Sequence, residues 1–490
     1  MWTALTAWSR QWKSILSKSD SEDMTSFFSK AVFSAVMGLT AVTAVAAAPK
    51  YIFYFIGDGM GPGQVMAAET YNRMTRGCDT ELLMMRLPVN AMCTTWSASS
   101  PVTDSAAAGT ALAAGVKTKN SMLGMGPDSV AVNSIAVDLK EMGYGIGLIT
   151  NVAPDDATPG AFYAHVPYRG MYYEIGCQAA ESGVDFLAGS NLRGTRDGNG
   201  IYNGLYERFA ANGVDVVRSL DGARGSLSRK VLLLDSDTLS TQTGHAIDSL
   251  KKENALPAVT DVAIGHLMKH TPDRFFLMVE NGNIDRGGHG NDGATAVKEV
   301  ICFDQALERA YKFYEQHPDE TLIVVTADHE TGGMSVGQAS TGYNCYTEYV
   351  DCQKVSKEFF TNWCRDMIRG NVPYSWVQMK SYLRENLGFW EMIPVSEEME
   401  RVLESKFTKT FVTRDGSVSH SLYNDFPEFA QEVYDVVNRR CGFGFTTGNH
   451  SGNPVPVFAV GVGSELISGM VDNTDLPRLI LRAAKGDGQQ

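Results

Sequence analysis

The chain contains five continuous apolar runs of strand length, and each ends in a cluster of polar, mostly chargeable residues. The runs cover residues 51–59, 143–151, 275–283, 321–329 and 454–461. Continuous apolar strands are typical of a parallel sheet whose two faces are both covered. Helical patterns lie between the runs, such as the apolar positions at 3 and 4 spacing from Val297 to Tyr314, which Pro318 closes. The pattern predicts an α/β fold: a doubly wound, mostly parallel central sheet with helices on both faces, an α/β/α sandwich.

Several acidic residues and a histidine follow these apolar runs directly. In doubly wound sheets, ligands bind beyond the carboxyl ends of the strands. We therefore expect five side chains that are scattered over the sequence to converge at that edge: Asp58, Glu280, Asp285, Asp328 and His329.

Residues 338–440 break the alternation of strands and helices. They carry amphipathic helical stretches, one from Trp376 to Leu387 that ends at Gly388, and a run capped by Ser396. We interpret 338–440 as a partly helical insertion, between the fourth and fifth apolar runs, into a domain that comprises 48–337 and 441–484.

The N-terminal 47 residues are typical of a lead followed by a signal peptide. An uncharged run of small and apolar residues at 31–48 follows Lys30, with small residues placed for cleavage after Ala46 or Ala47. An uncleaved anchor is the alternative, although Ala and Thr make the run weakly hydrophobic for a membrane span. Met24 is an alternative start. The prediction is export to the periplasm or the outside, with no stable membrane span after cleavage.

Composition narrows the function classes. The chain has 490 residues, 44% of them hydrophobic, and 42 basic against 56 acidic side chains give a net charge of −14. The apolar content excludes disorder, and the acidic balance argues against nucleic-acid binding. An anionic substrate would therefore need local cations.

The cysteines add an expectation about redox state. Export makes disulfide bonds plausible among the eight cysteines. Cys345 and Cys352 are close enough in sequence to pair, and Cys364 with Cys441 is a second candidate, but the sequence does not fix the connectivity.

Two short motifs carry candidate chemistry. The turn Gly57-Asp58-Gly59 lacks the Gly-Lys-Ser/Thr of a nucleoside-triphosphate loop, so Asp58 is its informative residue. Ser105 precedes an Ala-rich stretch that ends near Gly115. It is either a helix N-cap or a nucleophile at a helix N-terminus, where the backbone amides stabilise an anion.

Three further segments combine carboxylates with imidazoles. They are the segment from Glu280 to His289, the pair Asp328-His329, and His450 just before the last apolar run. Oxygen and imidazole ligands favour zinc or a similar cation, and the set is large enough for two adjacent metals.

In order, from about residue 50 to about residue 480, these clusters resemble those of the alkaline phosphatase family. The resemblance implies an α/β sandwich with two Zn²⁺ ions and one Mg²⁺ ion. It also implies the metal ligands: Asp285, His289 and His450 for the first zinc, Asp58, Asp328 and His329 for the second, and Asp58, Thr158 and Glu280 for magnesium, with Asp156 acting through a bound water.

The resemblance further implies the activity. Ser105 is the expected nucleophile and second-zinc ligand, and Arg169, eleven positions after Thr158, is expected to grip two phosphate oxygens. The implied reaction is hydrolysis of small-molecule phosphate monoesters through a phosphoserine intermediate, in a homodimer.

Arg286, directly after Asp285, stands where members of the family differ. We hypothesise that Arg286 pairs with the acidic Asp156 and binds the substrate phosphate, directly or through water. The alternative is a solvent-facing arginine.

The motifs fit three other functions less well. A sulfatase would need a Cys/Ser-x-Pro-x-Arg motif, which Ser105-Ala106-Ala107 is not. A phosphodiesterase stays possible, although its relatives typically use threonine and lack the third metal site. A non-catalytic phosphate- or metal-binding protein would have no need of Ser105.

Overall fold

A ten-stranded sheet forms the centre of the computed structural model, which describes residues 48–77, 80–235, 244–248 and 255–486. In sheet order the strands run β16-β2-β15-β8-β1-β7-β3-β4-β6-β5. In chain order the described strands are β1 Tyr51–Gly57, β2 Val89–Thr94, β3 Gly145–Thr150, β4 Phe186–Ala188, β5 Asp215–Val217, β6 Val231–Leu233, β7 Phe275–Asn281, β8 Thr321–Ala327, β9 Glu330–Thr331, β10 Ser335–Val336, β11 Val418–His420, β12 Asp425–Pro427, β13 Phe443–Gly444, β14 His450–Ser451, β15 Val455–Gly461 and β16 Met470–Asp472.

Helices surround this sheet, which gives the predicted α/β sandwich. The described α-helices are Pro62–Arg76, Leu83–Arg86, Ser105–Ala114, Ile135–Glu141, Ala157–Gly160, Tyr172–Glu181, Leu205–Ala211, Leu220–Gly225, Leu256–His270, Asn283–His289, Gly293–Gln316, Lys357–Arg369, Trp376–Leu387, Glu397–Phe407, Glu428–Cys441 and Asp475–Ala484. Every residue of β1, β3, β7 and β8 is buried, as expected for strands that are covered on both faces.

The three central strands are parallel and in register. Tyr51 of β1 lies opposite Phe275 of β7 and Thr321 of β8, and Gly57 lies opposite Asn281 and Ala327. Because the three strands end at the same level, the residues that follow them emerge at one edge of the sheet. This confirms the predicted strands and the predicted direction for these three runs.

The last apolar run differs from the prediction. Strand β15 is antiparallel to both of its neighbours, β8 and β2, with Phe458 opposite Val325. Its first residue therefore lies at the edge where the parallel strands end. For this reason His450, which precedes β15, reaches the same edge. An apolar run indicates burial but not direction, so the sequence pattern could not reveal this reversal.

The two ends of segment 338–440 lie close together in space. Strands β10 and β13, on either side of the segment, form an antiparallel pair with Ser335 opposite Gly444. The predicted helices are present: Trp376–Leu387 ends at Gly388 with φ of 70°, and the Ser396 side chain caps Glu397–Phe407. The division into a catalytic domain and an insertion stays a prediction.

Two further predictions need separate comment. The lead and signal peptide lie outside the described residues, and within the described residues no helix is long and apolar enough to cross a membrane. The two candidate disulfides, Cys345 with Cys352 and Cys364 with Cys441, are not formed. All seven cysteines among the described residues are free thiols. The Cys345 thiol instead donates to the backbone carbonyl of Cys441 at 3.1 Å.

A buried histidine links segment 338–440 to a helix that packs beside the sheet. His245 Nδ1 lies 3.3 Å from Glu299 Oε1, and His245 Nε2 lies 3.1 Å from Glu358 Oε2. Glu299 belongs to helix Gly293–Gln316, and Glu358 belongs to helix Lys357–Arg369. Although burial favours the neutral ring, hydrogen bonds to the two carboxylates raise the pKa of His245 from 6.5 to about 10.

We predict that the stabilisation supplied by His245 depends on pH. Because its pKa is raised on folding, the stabilisation is complete below pH 6.5 and is lost as the pH rises through about 10. Replacing His245 by Gln should lower the free energy of unfolding by about 3 kcal/mol at pH 7, since the buried Glu299 and the partly buried Glu358 carboxylates lose their cation. Urea denaturation of the wild type and the variant at pH 7 and pH 10.5 would measure this difference in the free energy of unfolding. A difference that stays constant over this range would contradict the prediction.

Candidate functional site

Ser105 is the first residue of its helix rather than the N-cap. The cap is Asp104, whose Oδ1 accepts a hydrogen bond from the backbone N–H of Ala107 at 3.0 Å. Of the two alternatives for Ser105, the role of helix N-cap is therefore wrong. Since Asp104 supplies the side-chain cap, the Ser105 hydroxyl is free for other contacts, and it lies 3.2 Å from His329 Nε2. Ser105 is fully buried, and its helix ends at Gly115 as predicted.

His329 is the centre of one acidic cluster. Strand β8 delivers Asp328 and His329 to the sheet edge, and Asp58 follows the neighbouring strand β1. His329 Nε2 lies 3.2 Å from Asp328 Oδ2 and 3.4 Å from Asp58 Oδ1. The ligand atoms of these three residues all lie within 4.8 Å of one another. The structure thus brings together the set that was assigned to the second zinc, beside Ser105.

A second cluster adjoins the first. Helix Asn283–His289 follows β7 and puts Asp285 and His289 on one face, four residues apart. The Nε2 atoms of His289 and His450 are 3.0 Å apart, and they lie 3.5 Å and 3.6 Å from oxygens of Asp285. The His450 ring stacks on His329 with centroids 3.6 Å apart. The set assigned to the first zinc is therefore assembled next to the first cluster.

Glu280, Asp156 and Thr158 form the third part of the site. Glu280, near the end of β7, accepts a hydrogen bond from the Thr150 hydroxyl. Burial raises the pKa of Glu280 to about 7, and the charge of Asp156 adds to this shift. Asp156 caps the short helix Ala157–Gly160, which carries Thr158. Magnesium was assigned to these three residues and to Asp58. The three therefore lie in one region.

Two arginines hold Asp156. Its Oδ1 accepts from Arg169 Nη2 at 3.1 Å, and its Oδ2 lies 3.0 Å from Arg193 Nη2. Although burial opposes ionisation, Arg193 and Arg169 lower the pKa of Asp156 to about 2. Arg169 Nη1 also lies 3.5 Å from Asp104 Oδ2, so two carboxylates fix the direction of its guanidinium.

Arg286 has other partners than the sequence suggested. Its guanidinium carbon lies 4.2 Å from the centre of the Tyr423 ring, and its Nη1 lies 3.9 Å from Glu358 Oε1. The hypothesised direct pairing with Asp156 is wrong, because the ion pairs of Asp156 within the described residues are with Arg169 and Arg193. The charge of Arg286 nevertheless contributes to the lowered pKa of Asp156. The solvent-facing alternative is wrong as well, since the Arg286 side chain is only 8% exposed.

Sequence reasoning missed two residues of this site. Arg193 follows the short strand β4, so the rule that directed attention to strand ends could have found it. Its backbone is held by Asp155, which accepts hydrogen bonds from the amides of Arg193 and Gly194. Tyr423 donates to Asp285 from a position 138 residues away, and no local pattern marks it.

The donor atoms fit divalent cations. Among the residues assigned to the metals, three buried oxygens have no hydrogen-bond partner in the structure: Asp58 Oδ1, Asp328 Oδ2 and Thr158 Oγ1. Burial and the Asp328 charge raise the pKa of Asp58 well above its usual range, and burial and the Asp285 charge do the same for Asp328. Burial and His450 lower the pKa of His329, so its ring is neutral and can bind a metal. Cations among these groups would satisfy the oxygens and offset the repulsion.

Comparisons with known proteins agree with this geometry. The family model described as alkaline phosphatase matches residues 49–213 and 239–486. Alkaline phosphatase 4 of Bacillus subtilis is 28% identical over 451 residues, which cover 89% of this chain and 88% of the relative. The repressible alkaline phosphatase of Saccharomyces cerevisiae is 27% identical, with coverage of 84% and 75%. The crystal structure of a cold-active alkaline phosphatase from Shewanella sp. superposes with a TM-score of 0.75 at 27% identity and covers 88% of this chain and 99% of its own.

Proposed function

Because the chain belongs to the alkaline phosphatase family of metal-dependent phosphomonoesterases, we propose that it hydrolyses phosphate monoesters through a phosphoserine at Ser105. The observation that carries this proposal is the position of the Ser105 hydroxyl. It is buried at the N-terminus of a helix, 3.2 Å from His329 Nε2, inside a cluster of carboxylates and imidazoles. A structural serine has no need of such surroundings.

We propose two zinc ions and one magnesium ion in this site, held by the residues that the three clusters bring together. Asp285, His289 and His450 suit one zinc, and Asp58, Asp328 and His329 suit the other. Oxygen donors from Asp58, Thr158 and Glu280, with Asp156 through water, suit magnesium. When bound, the cations would supply the positive charge that favours ionisation of the serine hydroxyl and stabilises the attacking and leaving oxygens.

The residues of the chain then divide the work. Ser105 Oγ forms a bond to phosphorus while the bond from phosphorus to the ester oxygen breaks, and the alcohol leaves. Water next attacks phosphorus, the bond to Ser105 breaks, and inorganic phosphate is released. The free backbone N–H groups at the start of helix Ser105–Ala114 favour the anionic phosphoryl group. Arg169, held by Asp156 and Asp104, offers a bidentate fork to two phosphate oxygens.

Arg286 is the second proposed contact with the substrate. Its side chain is buried on the helix that carries Asp285 and His289, so its charge faces a site whose substrate is an anion. Export to the periplasm or the outside, cleavage of a signal peptide and homodimerisation stay predictions.

Ser105→Ala tests the covalent mechanism. We expect kcat for p-nitrophenyl phosphate to fall by about 10³-fold or more, because the nucleophile is lost. No phosphorylated protein should be trapped at low pH from the variant loaded with zinc and magnesium. Ser134→Ala is the matched control, since Ser134 is also a buried serine at a helix N-terminus but donates to the Phe162 carbonyl. Unaltered turnover in metal-loaded Ser105→Ala protein would reject the phosphoserine.

Substitution of the two arginines tests substrate binding. Arg169→Ala and Arg286→Ala should each weaken inhibition by inorganic phosphate by roughly 10-fold or more, since a charged hydrogen bond contributes about 1.5–3 kcal/mol. Inhibition constants of metal-loaded protein give the measurement. Arg208→Ala serves as the control, because Arg208 is an exposed arginine paired with Glu181. If Arg286→Ala leaves both phosphate inhibition and the pH–rate profile unchanged, Arg286 does not bind the phosphate.

A further inference from the structure

Tyr423 reaches the site from segment 338–440. It lies in the turn between strands β11 and β12, and its hydroxyl donates to Asp285 Oδ2 at 2.8 Å. Its ring packs edge-on against the His289 ring, with centroids 5.2 Å apart and an angle of 85°. The Arg286 guanidinium lies over the same ring. One side chain therefore touches three residues of helix Asn283–His289.

The Tyr423 hydroxyl donates one of two hydrogen bonds that the Asp285 carboxylate accepts. Asp285 is fully buried, and its other oxygen, Oδ1, accepts from the Thr331 hydroxyl. A carboxylate oxygen can accept more than one contact, so both hydrogen bonds leave room for a cation. Hydrogen bonds of this kind orient the ligating carboxylate, and loss of one typically costs 10- to 100-fold in metal affinity.

The turn that carries Tyr423 is itself held in place. Arg365 donates to the Asn424 side chain at 2.7 Å and to the Asp425 carbonyl at 3.2 Å. Lys357 is buried, lies 4.3 Å from the centre of the Phe426 ring and donates to the Gly290 carbonyl at 2.7 Å. Helix Lys357–Arg369 thus fixes both the turn and the end of the helix that bears Asp285.

We propose that Tyr423 is a positioning residue with two separable parts. Its hydroxyl orients Asp285 for a zinc ion, and its ring holds the Arg286 guanidinium where a phosphate group binds. The first part rests on the proposed role of Asp285 as a metal ligand, and the second on the proposed role of Arg286.

Two substitutions separate the parts. Tyr423→Phe removes the hydroxyl and keeps the ring, whereas Tyr423→Leu removes both. Tyr434→Phe is the control, because Tyr434 is a buried tyrosine of the same segment whose hydroxyl donates to the Val355 carbonyl at 2.9 Å. Zinc affinity is measured by competition with a chromogenic chelator, and phosphate affinity of the zinc- and magnesium-saturated proteins by calorimetry. Neither readout depends on turnover.

We expect Tyr423→Phe to weaken zinc binding by about 10-fold or more and to leave phosphate affinity unchanged. Tyr423→Leu should lose zinc affinity to the same degree and also bind phosphate roughly 10-fold more weakly, because the guanidinium is released. Tyr434→Phe should match the wild type in both measurements. This pattern would support the positioning role even if the wild type failed to form a phosphoserine, so failure of the proposed mechanism is distinguishable.

Three results would overturn the proposal. Equal zinc affinity of the wild type and Tyr423→Phe would exclude the role of the hydroxyl. An equal loss of zinc affinity in Tyr434→Phe would mean that the effect is a general consequence of losing a buried hydrogen bond. Wild-type phosphate affinity in Tyr423→Leu would exclude the role of the ring.

Discussion

The burial of several carboxylates in one small volume is the constraint on which the rest of the site depends. Asp285 and Asp328 are fully buried, Glu280 is almost so, and Asp58 is 6% exposed. Desolvation and mutual repulsion both oppose their ionisation, which is why the pKa values of Asp58 and Asp328 are strongly raised. Neutral imidazoles alone cannot compensate several negative charges. Divalent cations can, and cations also reconcile an acidic protein with an anionic substrate, because carboxylates concentrate positive charge where phosphate must bind.

The fold meets this constraint by bringing distant segments to one edge of the sheet. Three parallel strands in register end at Gly57, Asn281 and Ala327, and the chemistry follows within a few residues of each. The antiparallel strand β15 supplies His450 from the opposite chain direction. Segment 338–440 then adds contacts to helix Asn283–His289, through Tyr423 and through Lys357. The strands place the proposed metal ligands, and segment 338–440 contacts the short helix Asn283–His289, which carries two of them.

The strands and most of the site could be predicted from the sequence because both leave local marks. A continuous apolar run that ends in Asp58 or in Asp328-His329 indicates a buried strand. The same nine residues also show which polar side chains follow the strand and can form the site. The direction of β15 leaves no such mark. Nor does the capping role of Asp104, since Asp104 and Ser105 are adjacent and both residue types cap helices.

Contacts between distant segments were the least predictable. The sequence led us to expect Arg286 as the partner of Asp156, but its partners are Arg169 and Arg193. Tyr423 donates a hydrogen bond to Asp285, 138 positions away in the sequence. Such pairs depend on where loops return to the sheet.

The central claim is that bound cations compensate the buried carboxylates and create the activity. The most direct test measures metal content and phosphomonoesterase activity of the same sample before chelation, after chelation, and during stepwise return of Zn²⁺ and Mg²⁺. The account predicts two zinc ions and one magnesium ion per chain, with activity lost and regained in step with occupancy. Full activity in protein stripped of all three would contradict it.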